Sequence, residues 1–170
     1  LSTGMLFLVF GMLYERTHTR EIADLGGIVQ ITPWLAGAYV VAMLSSIGLP
    51  GLNNFVGEFL VLLGTFSVDR VLASIAILGV ILSAIYMFWS YQRTFQGPAK
   101  ERWGSLPDLS WREGAIVAPI VVAMLWIGLQ PGAVLERLRP TSELVSERIR
   151  TVQVGEAVES LARTGDAGEG

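Results

Sequence analysis

Cysteine is absent from all 170 residues. That absence excludes disulfides, thiolate zinc sites, iron–sulfur clusters and a thiol nucleophile from this chain. Histidine occurs once, as His18 in "RTHTR"; one imidazole makes no metal site, and its polar setting marks a solvated surface side chain. Neither G-x-G-x-x-G nor G-x-x-x-x-G-K-[ST] occurs, so no loop is built to cradle a nucleotide phosphate. A formal net charge of −3 offers no argument for nucleic acid. No repeat of solenoid or propeller period is visible.

The chain also lacks an initiator methionine and a basic flank ahead of its first apolar run, "LSTGMLFLVFGMLY". With no charged leading region and no small-residue cleavage site, that run is not a signal peptide. It reads as the second half of a membrane helix, and the sequence is expected to be the C-terminal piece of a longer protein.

What the chain has in quantity is apolar surface. Hydrophobic residues make up 52% of it and the mean hydropathy is +0.53, and their distribution is more telling than their sum. Charges are absent from 34–57, 71–92 and 114–135 and crowd the connections between. Four apolar segments result: Leu1 to Tyr14, Trp34 to about Ser67, Val71 to Tyr91, and Gly114 to Gln130 with Pro119 inside it. The third is unbroken and long enough to cross a hydrocarbon core of ~30 Å. The expected fold class is an all-α membrane protein: the end of one helix, three further transmembrane helices with the first of them broken near Pro50-Gly51, then a polar tail. Residues 1–135 form the membrane part and 136–170 an extramembrane tail. In that tail Thr141 or Ser142 can cap a helix carrying Leu144, Val145, Ile149 and Val152 near helical spacing; a surface helix and a loosely ordered tail both fit. The end, "TGDAGEG", has the composition of a disordered terminus.

The second segment raises the main question. Its 34 residues, Trp34 to Ser67, would make a straight helix of ~51 Å, far beyond the membrane core. Either the chain turns back at "LPGLNN" as a hairpin of two spans, or it crosses once as a broken helix. The piece from Phe55 to Val68 is short for a span of its own. Charge agrees. With one broken crossing, Arg16, Arg20, Arg93, Lys100, Arg102 and Arg112 share one side, against Arg70, Arg137 and Arg139 on the other. That asymmetry places loops 15–33 and 92–113 in the cytoplasm and the C-terminus outside, whereas a hairpin nearly erases it. Trp34, Trp89, Tyr91, Trp103 and Trp111 fall at the same boundary, as an interfacial aromatic belt requires. One broken crossing is therefore expected.

A break inside hydrocarbon leaves backbone groups without helical partners and survives only when buried in protein or lining a wet cavity. Asn53 and Asn54 can satisfy some of those groups and bind water, and transport proteins use broken helices to make ion sites near the midplane. Glu58 follows just past the break. An acid at this depth is costly, and its protonation responds both to burial and to any neighbouring cation. Two readings fit Glu58: a proton relay, or a structural role by snorkelling or by stabilising the N-terminus of the second half-helix. No lysine lies in the apolar segments to pair with it. Ala76, Gly79 and Ser83, spaced for close helix packing, equally fit ordinary tolerance of small residues in membrane helices.

The stretches "LSTGMLFLVFGMLYERTHTREIADLGG", "LPGLNNFVGEFLVLLGTF" and "SAIYMFWSYQRTFQGP" together resemble the antiporter-like M-subunit family of bacterial respiratory complex I, the NADH:quinone oxidoreductase. The resemblance covers roughly residues 1–135. It implies a fourteen-helix fold of inverted repeats whose twelfth helix is discontinuous and carries an ionisable group on the proton route. Glu58 in "NNFVGEF" matches that group. It implies a bacterial inner-membrane protein, with other complex I membrane subunits, the lipid bilayer, water and protons as partners. No cofactor is expected in this chain; NADH, flavin, iron–sulfur clusters and quinone would belong to other subunits. The rival readings are a related cation/proton antiporter or membrane-bound hydrogenase subunit, and a non-transporting membrane scaffold.

Overall fold

The computed structural model describes residues 1–98, 100, 103–104 and 106–166, with side chains described up to 149 and at 151. Arg102, the side chain of Val152 and the last residues of "TGDAGEG" lie outside the described residues. Among the described residues there is no strand. Six α-helices follow in order: α1 (Ser2–Thr17), α2 (Pro33–Ser46), α3 (Asn53–Val68), α4 (Arg70–Phe95), α5 (Trp111–Leu129) and α6 (Gly132–Asp166), with 3-10 turns at Ile22–Asp24 and Ile28–Gln30. The chain divides into two compact units, Leu1–Pro131 and the stretch from Gly132 onward.

In the first unit α1 packs along α2. Met5, Val9, Met12 and Leu13 of α1 recur at helical spacing and are buried, as are Leu35, Ala38, Tyr39 and Ala42 of α2. The Phe10 ring meets Tyr39 edge-on at 5.3 Å. α1 ends at His18, whose left-handed φ of 50° lets its N–H close on the Tyr14 carbonyl at 2.8 Å. His18 is exposed, as its sequence setting indicated.

α4 decides between hairpin and broken crossing. It is one continuous helix of 26 residues. Its N-terminal part lies beside α3, while its far end reaches α2. There the Tyr39 and Ser90 hydroxyls are 3.2 Å apart, and Tyr39 packs against Tyr91 and Phe95 with ring centroids at 6.0 and 4.8 Å. α2 and α3 therefore succeed one another along α4 and touch only sparsely. That is the arrangement of a single interrupted crossing. Asp69 alone joins α3 to α4, and its carboxylate accepts from the Val71 and Leu72 amides at 2.8 and 3.1 Å.

Apolar side chains such as Leu72, Ile75, Leu78, Leu82 and Ile85 stand exposed along α4. α4 and α5 have the length and composition of membrane spans. In water such faces would be an aggregation liability; in lipid they are the solvated surface.

The end of the unit rich in basic and aromatic residues is laced by charge. Asp108 accepts from the Trp34 and Leu35 amides at 3.0 and 3.1 Å, capping α2 from another loop, while Pro33 occupies the first turn where its missing N–H costs nothing. Ser110 and Glu113 form a capping box at the start of α5. Arg16, largely buried, pairs with that Glu113 at 2.6 Å and also donates to the Met12, Pro107 and Asp108 carbonyls. One guanidinium thus ties the end of α1 to the entries of α2 and α5.

Two expectations need correction here. Trp34, Trp89 and Trp111 are exposed as a lipid-facing belt requires, with Arg93 stacked 5.0 Å over Trp89. Trp103 and Tyr91 are not part of that belt. Trp103 is buried with its indole N–H donating to the Asp24 carbonyl at 3.2 Å, and Tyr91 stacks inward on Tyr39. In the second unit, α6 begins at Gly132 and runs through Pro140. Thr141 and Ser142 therefore lie inside the helix and cap nothing; the Ser142 hydroxyl donates back to the Arg139 carbonyl at 2.9 Å. Leu144, Val145 and Ile149 are exposed within that unit.

Asp108→Ala removes both amide bonds to the first turn of α2 and is expected to cost about 1–2 kcal/mol. Arg16→Ala leaves Glu113 only its Ser110 amide, removes the donor to three carbonyls, and is expected to cost about 2–3 kcal/mol. Thermal midpoints of the purified membrane protein in detergent check the order: both fall, Arg16→Ala further. An unchanged midpoint for Arg16→Ala would show that the ion pair contributes no stability.

Candidate functional site: a broken helix and its carboxylate

The break runs from Ile47 to Leu52, and its hydrogen bonds explain how it forms. The Gly48 amide donates to the Ser45 carbonyl at 3.2 Å and the Leu49 amide to the Leu44 carbonyl at 3.0 Å. This is a Schellman ending, with Gly48 at the left-handed position, φ 74°. A second turn follows at once. The Leu52 amide donates to the Leu49 carbonyl at 3.1 Å, with Pro50 and Gly51 between them and Gly51 at φ 95°. Pro50-Gly51 is therefore the turn that redirects the chain, while Gly48 ends α2. The sequence reading assigned the break to Pro50 and Gly51 and passed over Gly48. Its signal was present: a glycine just past the last residue of an apolar helix.

α5 closes on this turn from the side. A Cβ added at Gly128 would collide with the Gly51 carbonyl, and it would lie 2.5 Å from the Leu52 carbonyl carbon. Only a bare Cα lets the α5 backbone rest on the interrupted one. Leu129 covers Gly51 beside it.

Asn53 and Asn54 open α3 but do not hold the freed backbone groups as expected; α3 starts without a side-chain cap. Their amide oxygens face hydroxyls instead. Ser45 Oγ donates to Asn53 Oδ1 at 2.7 Å, and Ser2 Oγ lies 2.7 Å from Ser45 Oγ and 3.2 Å from both asparagine oxygens. Asn53 Nδ2 donates to Asn54 Oδ1 at 2.8 Å. Ser2 and Ser45 are fully buried, so this knot of four polar side chains joins α1 to both halves of the broken helix. Ser2 and Ser45 escaped the sequence reading, because nothing in the order of residues says that Ser2 lies against Ser45.

Glu58 stands apart from the knot. It lies in the second turn of α3. Its carboxylate is folded back onto Gly48 at the end of α2. Among the described residues Glu58 makes no hydrogen bond or ion pair. It borders a cleft of about 310 Å³ lined by Ser46, Ile47, Ala76, Gly79, Val80 and Ser83. The small residues of α4 thus leave open space beside the carboxylate. Chemically the site can do one thing plainly: take up, hold and release a proton at the Glu58 carboxylate, beside an interrupted backbone.

The family model described as "NADH:quinone oxidoreductase/Mrp antiporter, TM" matches residues 1–87, which include the serines, the break, the asparagines and Glu58. The chain belongs to this family. Among relatives of the NADH:quinone oxidoreductase/Mrp antiporter family, it is 43% identical to NADH-quinone oxidoreductase subunit M of Mycobacterium tuberculosis over 143 residues, 84% of this chain and 26% of that one. It is 44% identical to the subunit M of Rhodobacter capsulatus over 140 residues, 82% and 27% of the two chains, and 44% identical to that of Rickettsia prowazekii over 136 residues, 79% and 28%. The chain thus spans about a quarter of the length of these curated relatives. The fold is similar to a chain in the structure of the Mrp complex from Dietzia sp. DQ12-45-1b, with a TM-score of 0.68 at 18% identity, over 79% of this chain and 33% of that one. The expected fold class, all-α membrane protein of antiporter-like type, holds.

Gly128→Ala is expected to destabilise by about 1–3 kcal/mol through overpacking against the Gly51 carbonyl. Gly114→Ala in the same helix, with only Leu109 at 3.8 Å, is expected to be neutral or slightly stabilising. The two thermal midpoints make the comparison, and equal behaviour would mean that the α5 backbone does not rest on the break.

Proposed function

We propose that this chain is part of a proton-translocating membrane subunit of NADH:quinone oxidoreductase, which couples NADH oxidation by quinone to proton transfer across the membrane, with Glu58 as the relay group. One observation carries the reading: a carboxylate without a partner in the described residues lies on the backbone of a broken membrane helix, at the edge of an open cleft. Intramembrane acids are costly to keep, and those that persist serve ion or proton pathways. The 43% identity to a subunit M supports complex I over other members of the family.

In this reading the break supplies a gap in which water can approach the midplane, and Glu58 holds the proton between one water chain and the next. Ser2, Ser45, Asn53 and Asn54 keep the two half-helices in register, so that the gap has a fixed shape. Redox chemistry at NADH, flavin, iron–sulfur clusters and quinone belongs to other subunits. The basic, tryptophan-rich end faces the cytoplasm and the C-terminus lies outside, by the charge asymmetry of the loops. Other membrane subunits of the complex are the protein partners, in a bacterial inner membrane. The likeness to the Mrp complex chain supports a second reading, a cation/proton antiporter with the same carboxylate and a different driving reaction.

Glu58→Gln keeps the size of the side chain and removes the titrating proton. In sealed vesicles holding the intact complex, proton pumping is expected to fall at least about tenfold, with quinone reduction falling alongside and assembly unchanged. Unchanged pumping would sink the relay; lost assembly would favour a scaffold role.

A further inference from the structure

We propose that Gly48 is the positioning residue for Glu58: the bare Cα at the end of α2 is the seat that holds the Glu58 carboxylate against the break. The inference rests on the reading of Glu58 as the relay group, and adds a residue that sets where this group stands.

Gly48 has two separable duties. The first is backbone conformation. Its φ of 74° ends α2 and starts the break, a duty that asparagine also discharges in many helices. The second is space. A Cβ at Gly48 would collide with Glu58 Oε2 and would lie 3.0 Å from Glu58 Cδ and 3.6 Å from Oε1. The whole carboxylate therefore covers the one face of residue 48 that any other amino acid would fill. Both duties favour glycine here: the left-handed φ strains any side chain, and the carboxylate occupies the space that its Cβ would need. Gly51 separates the duties within the same break. It has a φ of 95°, yet a Cβ there would meet only Leu129 Cδ2 at 3.9 Å. Backbone strain without the carboxylate is therefore available as a control three residues away.

Residue 48 also fixes which of two places Glu58 occupies. With the seat open, the carboxylate lies on the backbone of the break. With the seat filled, its three side-chain torsions carry it toward the cleft lined by Ser46, Ala76, Gly79 and Ser83. Positioning of this kind acts on rate through distance, since misplacing a reacting group by about 1 Å costs up to about a hundredfold.

The test uses the intact complex in sealed vesicles, with proton pumping, its pH profile and the thermal midpoint as readouts. G48A is expected to lower pumping about ten- to hundredfold and to displace the pH profile. E58D, one methylene shorter, is expected to clear the collision, so that G48A/E58D pumps better than G48A and has a higher thermal midpoint than the two single variants predict on adding. In the E58Q background G48A is expected to cost no further pumping, whereas the loss from G51A is expected to be the same factor with E58D as without it. If G48A lowers pumping by the same factor whatever stands at 58, residue 48 is a backbone hinge only and the proposal fails. If G48A does not assemble, its assembly when combined with E58D supports the seat, and failure of that pair as well overturns it. Normal pumping by E58Q alone defeats the relay reading; the thermal coupling between G48A and E58D then still decides the seat.

Discussion

Hydrocarbon offers no hydrogen bonds, and every other feature of this unit accommodates that constraint. A membrane helix can be interrupted only if the amides and carbonyls released at the gap are satisfied or sheltered by the protein itself. Here the Schellman ending at Gly48 and the turn at Pro50-Gly51 engage three amides, those of Gly48, Leu49 and Leu52, on nearby carbonyls. The α5 backbone at Gly128 shelters the Gly51 carbonyl side, and the serine–asparagine knot ties α1 across the gap. Only after these demands are met is there room for an acid. Glu58 is tolerable where it is because the gap already exists.

Two polar groups share the break without touching. The knot is neutral and internally bonded, with its two serines buried, which suits a structural joint. Glu58 is half-buried, ionisable and beside open space, which suits exchange. Sorting them by charge and partnership separates what fixes the gap from what would work inside it. The sequence reading kept the asparagines, at the gap, separate from the glutamate past it, but it gave the asparagines the freed backbone groups rather than the serine hydroxyls.

Much of the fold was readable before the structure. Charge-free runs located the spans, and span length with loop charge chose one broken crossing over a hairpin, which α4 then bore out by lying beside both halves. The helix break and Glu58 were visible as offences against an apolar run. What stayed hidden depends on contacts distant in sequence. Asp108 capping α2, Arg16 bridging to Glu113, Ser2 meeting Ser45 and Gly128 meeting Gly51 each join residues that no local pattern connects. Trp103 was misplaced for a related reason: an aromatic near a membrane boundary looks the same in sequence whether it faces lipid or plugs a loop. Thr141 and Ser142 have capping chemistry, but a helix already under way from Gly132 leaves them nothing to cap.

The continuous α4 also gives the broken crossing a mechanical character. One helix of the pair is cut and its neighbour is whole, joined to it through the single residue Asp69. The whole helix acts as a splint: it carries the length of the crossing, so the cut one need not be stiff along its axis. A crossing built this way keeps its reach through the membrane despite the interruption.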